Sequence, residues 1–123
     1  MKRILIAEDS PTMRALLVTT IESCGNYDIV EAGNGFEALR LLPRLKADLI
    51  ITDINMPDIN GLELISYVRN NPHYREIPLF IVSTEGGAKD MEKGLALGAN
   101  EYLVKPFDPA QLQALIRQYL GQP

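Results

Sequence analysis

The chain has 123 residues, of which 46% are hydrophobic and 23% charged, values typical of a globular protein with one apolar core. Its formal net charge of −4, with the lysines and arginines scattered, argues against nucleic-acid binding as the main activity. The single cysteine, Cys24, excludes an internal disulfide, and no apolar run has the length of a membrane span or a secretory signal. We therefore expect one domain over residues 1–123, located in the cytoplasm.

Five apolar runs alternate with five segments in which apolar residues recur at helical spacing. The runs predict strands at residues 2–7, 28–32, 49–53, 79–82 and 102–104. Strict strand-helix alternation predicts a parallel sheet covered by helices on both faces and joined by right-handed crossovers. The expected fold is therefore a flavodoxin-like (βα)5 three-layer sandwich with strand order 2-1-3-4-5.

Several residues predict where the helices begin and end. Ser10 and Asp108, each followed by proline, indicate an N-cap and a first helical turn. Gly25 predicts the end of the first helix, and Pro43 is expected to interrupt the second. Apolar residues recur at helical spacing in both helices, namely Met13, Leu16, Leu17, Ile21 and Cys24 in the first and Phe36, Leu39 and Leu42 in the second.

Chemically active side chains lie where four of the five strands end. Glu8 and Asp9 follow the first strand, Asp53 ends the third, and the fourth and fifth are followed by Ser83-Thr84 and Lys105. Taken singly, each has a commoner structural explanation, such as a capping carboxylate, a turn hydroxyl or a solvated lysine. Because the carboxyl ends of parallel strands meet at one edge, in the crevice where such folds bind ligands, the set together indicates a site.

The residue types in this set are suited to phosphoryl chemistry. Three converging carboxylates repel each other, and a hard divalent cation such as Mg²⁺ would compensate that charge. A hydroxyl from Ser83 or Thr84 and the ammonium of Lys105 add groups that bind phosphoryl oxygens. An aspartate in such surroundings can act as a nucleophile and form an acyl phosphate.

The sequence resembles the receiver domains of two-component response regulators over essentially its whole length. The matching motifs lie, in the family's order and spacing, at residues 4–10, 53–61, 82–85, 98–99 and 105–107. The resemblance implies that Asp53 is the phosphoacceptor, Ser83 the switch hydroxyl, Lys105 the phosphate-binding lysine and Tyr102 the aromatic switch. It also implies a cis peptide bond between Lys105 and Pro106.

The resemblance further implies a Mg²⁺ site. Its ligands would be Asp9, Asp53 and the backbone carbonyl of Asn55, with Glu8 acting through water. Glu8 stands where the family more often has aspartate, which should alter the geometry of the metal's water without removing the site. No residue required for phosphorylation is missing.

The implied function is that of a phosphorylation-activated switch. A sensor or chemotaxis histidine kinase would supply the phosphoryl group, and Ser83 and Tyr102 would then change the face made by the fourth helix, fifth strand and fifth helix. The chain is most similar to stand-alone chemotaxis-type regulators, so the expected output is binding of a downstream protein, in motility or elsewhere. Asn55 and Glu85 match residues near the attacking water, which implies quick loss of phosphate. The expected state is a monomer, with dimerisation on phosphorylation left open.

Three other functions are possible interpretations of this sequence, and each requires a feature that can be tested. A phosphorelay intermediate would share every site residue and pass the phosphoryl group to a histidine phosphotransfer protein. A Mg²⁺-dependent phosphatase with an aspartate nucleophile needs a carboxylate at position 55, which is Asn55 here. A flavodoxin needs a phosphate-cradling loop after the first strand, where Glu8 and Asp9 would repel a phosphate.

The glycines at 86, 87 and 94 predict that the fourth helix is the least stable of the five.

Overall fold

The computed structural model describes residues 1–84 and 88–121. Five strands alternate with five helices along the chain, as the apolar pattern predicted. Their bounds are β1 Arg3–Ala7, α1 Pro11–Glu22, β2 Asp28–Ala32, α2 Gly35–Leu45, β3 Leu49–Thr52, α3 Gly61–Arg69, β4 Leu79–Ser83, α4 Ala88–Leu97, β5 Glu101–Val104 and α5 Pro109–Leu120.

The strands form one parallel sheet in the order β2-β1-β3-β4-β5, which confirms the predicted flavodoxin-like topology. β1 and β3 lie side by side, with Ala7 opposite Thr52 at their carboxyl ends. At the other side of the crevice, Ser83 of β4 lies opposite Val104 of β5. The residues that follow these four strands therefore share one edge of the sheet.

Two apolar layers cover the two faces of the sheet. Successive side chains of a strand point to opposite faces, so each central strand contributes to both layers. Residues such as Leu5, Ile50 and Ile81 pack with α2 and α3. Their neighbours Ile4, Ile51 and Phe80 pack with α1 and α5. The central strands β1, β3 and β4 are thus buried on both sides, which holds their carboxyl ends in place.

The predicted helix starts are confirmed. The Ser10 hydroxyl accepts a hydrogen bond from the Met13 amide at 3.3 Å, and the Asp108 carboxylate accepts one from the Ala110 amide at 3.0 Å. Asn60 and Glu63 form a reciprocal capping box at the start of α3. Each cap satisfies amides that have no partner within the helix.

The end of α1 differs from the sequence prediction. The helix ends at Glu22 with Ser23 as its C-cap, so Gly25 does not terminate it. Cys24 lies beyond the helix, half-buried, where its thiol donates to the carbonyl of Ile21 at 3.3 Å. The hydroxyl of Ser23 also donates to the carbonyl of Thr19, and this local bond competes with continuation of the helix.

Pro43 does not interrupt α2, contrary to the prediction. The helix continues to Leu45 and ends at Lys46, which adopts the left-handed conformation with φ of 52°. A proline costs one hydrogen bond here, and the burial of Leu42 and Leu45 on either side of it outweighs that loss. Two of the apolar residues at helical spacing are exposed, namely Leu16 at 45% and Phe36 at 66%.

Gly94 has a packing role that helix propensity alone does not show. It is buried, and an added Cβ would lie 2.7 Å from the Ile81 Cδ1 and 3.4 Å from the Tyr102 ring. The missing side chain therefore lets α4 approach β4 and β5 closely. The other two glycines of the predicted weak segment, 86 and 87, lie outside the described residues. Within the described ranges, no helix is long and apolar enough to span a bilayer.

Candidate functional site

Three carboxylates meet at the carboxyl ends of β1 and β3, as the strand order predicted. One oxygen each from Glu8, Asp9 and Asp53 lies within 4.8 Å of the others. Glu8 and Asp53 are only 1% and 7% exposed, whereas Asp9 is exposed. Such a cluster concentrates negative charge in a place where burial makes that charge costly.

The backbone holds Asp53 from several directions. Its amide donates to the carbonyl of Ala7 at 3.0 Å, which continues the pairing of β3 with β1. One carboxylate oxygen accepts from the Ile54 amide at 2.7 Å. An added Cβ at Gly61 would lie 2.2 Å from the carbonyl oxygen of Asp53, so only glycine allows α3 to begin this close.

Lys105 supplies the positive charge of the site. Its ammonium donates to Glu8 Oε1 at 2.6 Å and to Asp53 Oδ2 at 3.3 Å. Burial lowers the pKa of Lys105, but the hydrogen bond from the ammonium to Glu8 and the charges of both carboxylates outweigh it and raise the pKa above its usual value. The lysine is therefore a permanent cation between two buried carboxylates.

Glu8 is held on both of its oxygens. Oε1 accepts from Lys105, and Oε2 accepts from the Ser10 amide at 3.1 Å. Burial raises the pKa of Glu8, the charge of Asp53 raises it further, and the bonds from Lys105 and Ser10 oppose this rise only in part. Asp9 is the more accessible member of the acidic pair.

Arg14 is a site neighbour that the sequence did not reveal. Its Nη1 donates to the backbone carbonyl of Glu8 at 2.8 Å, and its Nε donates to Glu31 at 3.3 Å. This guanidinium joins α1 to the ends of β1 and β2 beside the carboxylates. The only hint in the sequence is its position one helical turn after the Ser10 cap.

Asp58, in the loop between β3 and α3, was also not predicted as part of the site's support. Its carboxylate accepts from the amides of Gly35 at 3.3 Å and Phe36 at 3.0 Å, at the start of α2. Desolvation raises the pKa of Asp58, but hydrogen bonds from backbone amides, including those of Ile59 and Phe36, hold it below its usual value. The loop that follows Asp53 is thus fastened to α2.

Of the remaining predicted site residues, those that the structure describes lie at the end of β4, within β5 and in the loop after Asp53. Ser83 is buried at the end of β4, whereas Thr84 is exposed. Tyr102 is half-buried on β5 opposite Ile81, and Asn55 is exposed in the loop after Asp53. The Lys105-Pro106 peptide bond is cis, as predicted. Glu85 lies outside the described residues.

A five-stranded doubly wound sheet with an acidic trio and a buried lysine at one edge defines the receiver class of signalling domains. The family model described as "Response regulator receiver domain" matches residues 4–117. The chain therefore belongs to the response regulator receiver family.

Similar proteins within this family include chemotaxis regulators. The chain is 40% identical to a chemotaxis protein CheY homolog of Campylobacter jejuni, over 97% of this chain and 92% of that protein. It is 38% identical to chemotaxis protein CheY1 of Helicobacter pylori, over 97% of both chains.

Two solved structures are also similar to this chain. Chemotaxis protein CheY4 of Vibrio cholerae superposes with a TM-score of 0.88 at 33% identity, over 97% of this chain and 98% of that one. The receiver domain of sensor histidine kinase PA1611 from Pseudomonas aeruginosa superposes with a TM-score of 0.88 at 28% identity, over 98% of both chains. That structure holds a magnesium ion coordinated in its active-site cleft.

Proposed function

We propose that the chain is a phosphorylation-activated switch that accepts a phosphoryl group on Asp53 from a histidine kinase. The observation that carries this proposal is the buried Asp53 carboxylate, which has Lys105 at 3.3 Å and two further carboxylates close by. Residues 1–123 would form a single receiver domain that signals through a bound partner. It would not turn over external substrates as a metabolic enzyme does.

The donor set of the crevice fits Mg²⁺. Carboxylate and carbonyl oxygens are the ligands this ion takes, usually together with phosphate oxygens and water. Asp9, Asp53 and the backbone carbonyl of Asn55 would bind it directly. Glu8 already has both oxygens engaged, which favours its acting through water. When bound, the ion would neutralise charge on the phosphoryl oxygens.

In the phosphoryl transfer, an oxygen of Asp53 would attack phosphorus while the bond from phosphorus to the kinase's imidazole nitrogen breaks. The leaving imidazole would keep that bond's electron pair. Lys105, already within hydrogen-bond reach of Asp53, would hold one phosphoryl oxygen. The chain need not rearrange to bring the Lys105 ammonium to the phosphoryl group. β5 ends beside β4, and the Lys105 amide donates to the Ser83 carbonyl at 2.8 Å.

The phosphoryl group would then draw the Ser83 hydroxyl toward the site, and Tyr102 would turn inward behind it. The close contact of Tyr102 with the position of Gly94 supports a coupling from β5 to α4. The face formed by α4, β5 and α5 would in this way bind a downstream protein only in the phosphorylated state. The similarity to chemotaxis regulators favours a partner in motility.

The test is phosphorylation by a small-molecule phosphodonor, with and without Mg²⁺, measured by intact mass. We expect a Mg²⁺-dependent gain of one phosphoryl group in the wild type and in Glu92→Gln, a control that also replaces a carboxylate by an amide but lies exposed on α4. Asp53→Asn should gain none. Absence of the gain in the wild type, or its persistence in Asp53→Asn, would refute the proposal.

A phosphorelay intermediate remains the second candidate, because it would use the same residues. The two functions differ in what happens after phosphorylation. Incubation of the phosphorylated chain with a histidine phosphotransfer protein would transfer the label to histidine in a relay. A switch that ends its pathway would lose the phosphoryl group to water instead.

A further inference from the structure

The outer side of α2 presents an unusual combination of exposed residues. Phe36, Arg40, Pro43 and Arg44 are spaced i, i+4, i+7 and i+8, so they form one stripe along the helix. All four are exposed, and Phe36 is 66% exposed. Lys46, also exposed, extends this set at the helix end. These five residues are called the α2 stripe below.

The α2 stripe is basic in a chain that is acidic as a whole. Residues 40–46 hold three of the chain's 12 lysines and arginines, although the net charge is −4. Of the ion pairs among residues 1–84 and 88–121, none involves Arg40, Arg44 or Lys46. The one acid of the helix, Glu37, accepts a hydrogen bond from the Gly33 amide at 3.4 Å. Three cations thus face solvent along and just after the helix that carries the exposed Phe36 ring.

Two shallow cavities lie near the two ends of the stripe. One, of about 440 Å³, is lined by Asn34, Phe36, Glu37 and Arg40. The other, of about 430 Å³, is lined by Leu42, Pro43, Lys46, His73 and Tyr74. Phe36 and Pro43 are about 10 Å apart along the axis, since a helix rises about 1.5 Å per residue. Two side chains placed two turns apart on a partner helix span that distance.

We propose that the α2 stripe binds an acidic amphipathic helix of a partner protein. Glutamate or aspartate side chains of that helix would pair with Arg40, Arg44 and Lys46. Apolar side chains two turns apart would enter the two cavities, one of them against Phe36. A scattered exposed hydrophobic residue by itself is common. Here the aromatic ring, three solvent-facing cations and two cavities all lie on or beside α2, and their chemistry is complementary to such a helix.

The stripe is also fastened to the loop that follows Asp53. Asp58 accepts hydrogen bonds from the first amides of α2, and an added Cβ at Gly35 would lie 2.2 Å from the carbonyl oxygen of Ile59. A change at Asp53 that shifts this loop would therefore move the start of α2 and Phe36. This sensing of phosphorylation rests on the proposed function, whereas the binding itself does not.

The test uses a synthetic helical peptide of about 18 residues, which is about 27 Å long, rich in glutamate on one side, with leucines two turns apart. Binding to the isotope-labelled, unphosphorylated chain is followed by NMR. The expected shifts map to amides of α2, and R40E/R44E weakens binding by at least about tenfold. K2E/K93E has the same change in charge and should bind within about twofold of the wild type. Phe36→Ala should weaken binding while the spectrum of the fold stays unchanged.

Several outcomes would overturn the proposal. They are absence of binding at about 1 mM peptide, shifts that map to α4, β5 and α5, and equal weakening by the two charge-reversed pairs. Repeating the titration with phosphodonor and Mg²⁺ tests the sensing separately. We expect the affinity to change by at least about threefold in the wild type and to stay constant in Asp53→Asn. If the peptide binds with the same affinity before and after phosphorylation, the proposed sensing is refuted, whereas the α2 stripe is still established as a binding surface.

Discussion

Lys105 lies between two carboxylates whose burial makes their charge costly. Its side chain is 10% exposed, and those of Glu8 and Asp53 are 2% and 8% exposed. The three charges offset one another only in part, because two carboxylates face a single ammonium. A divalent cation would bind the carboxylates and neutralise the net negative charge that remains. The carboxylate of Asp53 would attack the phosphoryl group.

Replacing Lys105 with methionine keeps the apolar stem of the side chain and removes its charge. We expect the free energy of unfolding at neutral pH, measured with urea in the presence of a chelator, to fall by about 2 kcal/mol. The cause is that Glu8 and Asp53 become buried charges without a cation. Added Mg²⁺ should recover much of the loss, because it binds the same carboxylates.

The pH dependence of that loss follows from Glu8. Burial raises the pKa of this carboxyl and Lys105 opposes that rise, so the loss of Lys105 raises the pKa further and makes the charged form oppose folding more strongly. The deficit of Lys105→Met should therefore be largest at neutral pH and shrink as the pH falls through the raised pKa of the variant. Adding Glu8→Gln should also restore part of the stability. A deficit that is the same at every pH would contradict this explanation.

At the scale of elements, the loop from Asp53 to Gly61 is packed against its surroundings by backbone contacts. The Gly61 amide donates to the carbonyl of Ile54 at 2.9 Å, and the capping box of Asn60 and Glu63 begins α3 immediately afterwards. Through Asp58, the same loop caps the start of α2. One short connection thus joins the proposed phosphorylation site to two helices.

Gly61→Ala should therefore destabilise the protein, although alanine is the better helix former by about 1 kcal/mol. Its Cβ would lie 2.2 Å from the carbonyl oxygen of Asp53, and a backbone atom cannot move aside cheaply. We expect a loss of about 2 kcal/mol in urea unfolding and slower phosphorylation. Gly33→Ala is the matched control, since its nearest neighbour would be the Arg14 Nη1 at 3.5 Å. Similar effects of the two substitutions would show that the close approach at Gly61 does not matter.

At the scale of the whole molecule, the sheet separates two apolar layers. Ile65 of α3 belongs to one layer, and Ile21 of α1 to the other. Both are fully buried, and the strands between them are buried on both faces. The two layers should therefore contribute independently to the free energy of unfolding, although both pack on the same sheet.

Ile65→Val and Ile21→Val should each lower the free energy of unfolding by about 1 kcal/mol. In the double variant the losses should add within about 0.5 kcal/mol, because residues on opposite faces share no direct contact. Urea unfolding of the four proteins measures this, and an unchanged m-value serves as the control for two-state behaviour. A larger departure from additivity would mean that the sheet transmits packing strain between the layers.

The sequence predicted the strand order, the helix starts at Ser10 and Asp108, and the meeting of Glu8, Asp9 and Asp53. It missed the course of α2 through Pro43 and the early end of α1. These two errors have different causes. At Pro43, a local preference of about 3 kcal/mol is outweighed by the burial of Leu42 and Leu45. At the end of α1, the hydrogen bond from the Ser23 hydroxyl to the Thr19 carbonyl competes with continuation of the helix before Gly25 is reached.

By itself, the sequence determined the alternation of strands and helices and the kind of side chain at each strand end, because periodicity and capping depend on near neighbours along the chain. Only the tertiary structure decided that Arg14 holds Glu8, that Asp58 caps α2 and that Phe36 faces solvent. Those features depend on how close two elements come once the sheet has formed. That distance is set by the packing of many side chains together, and no single stretch of sequence encodes it.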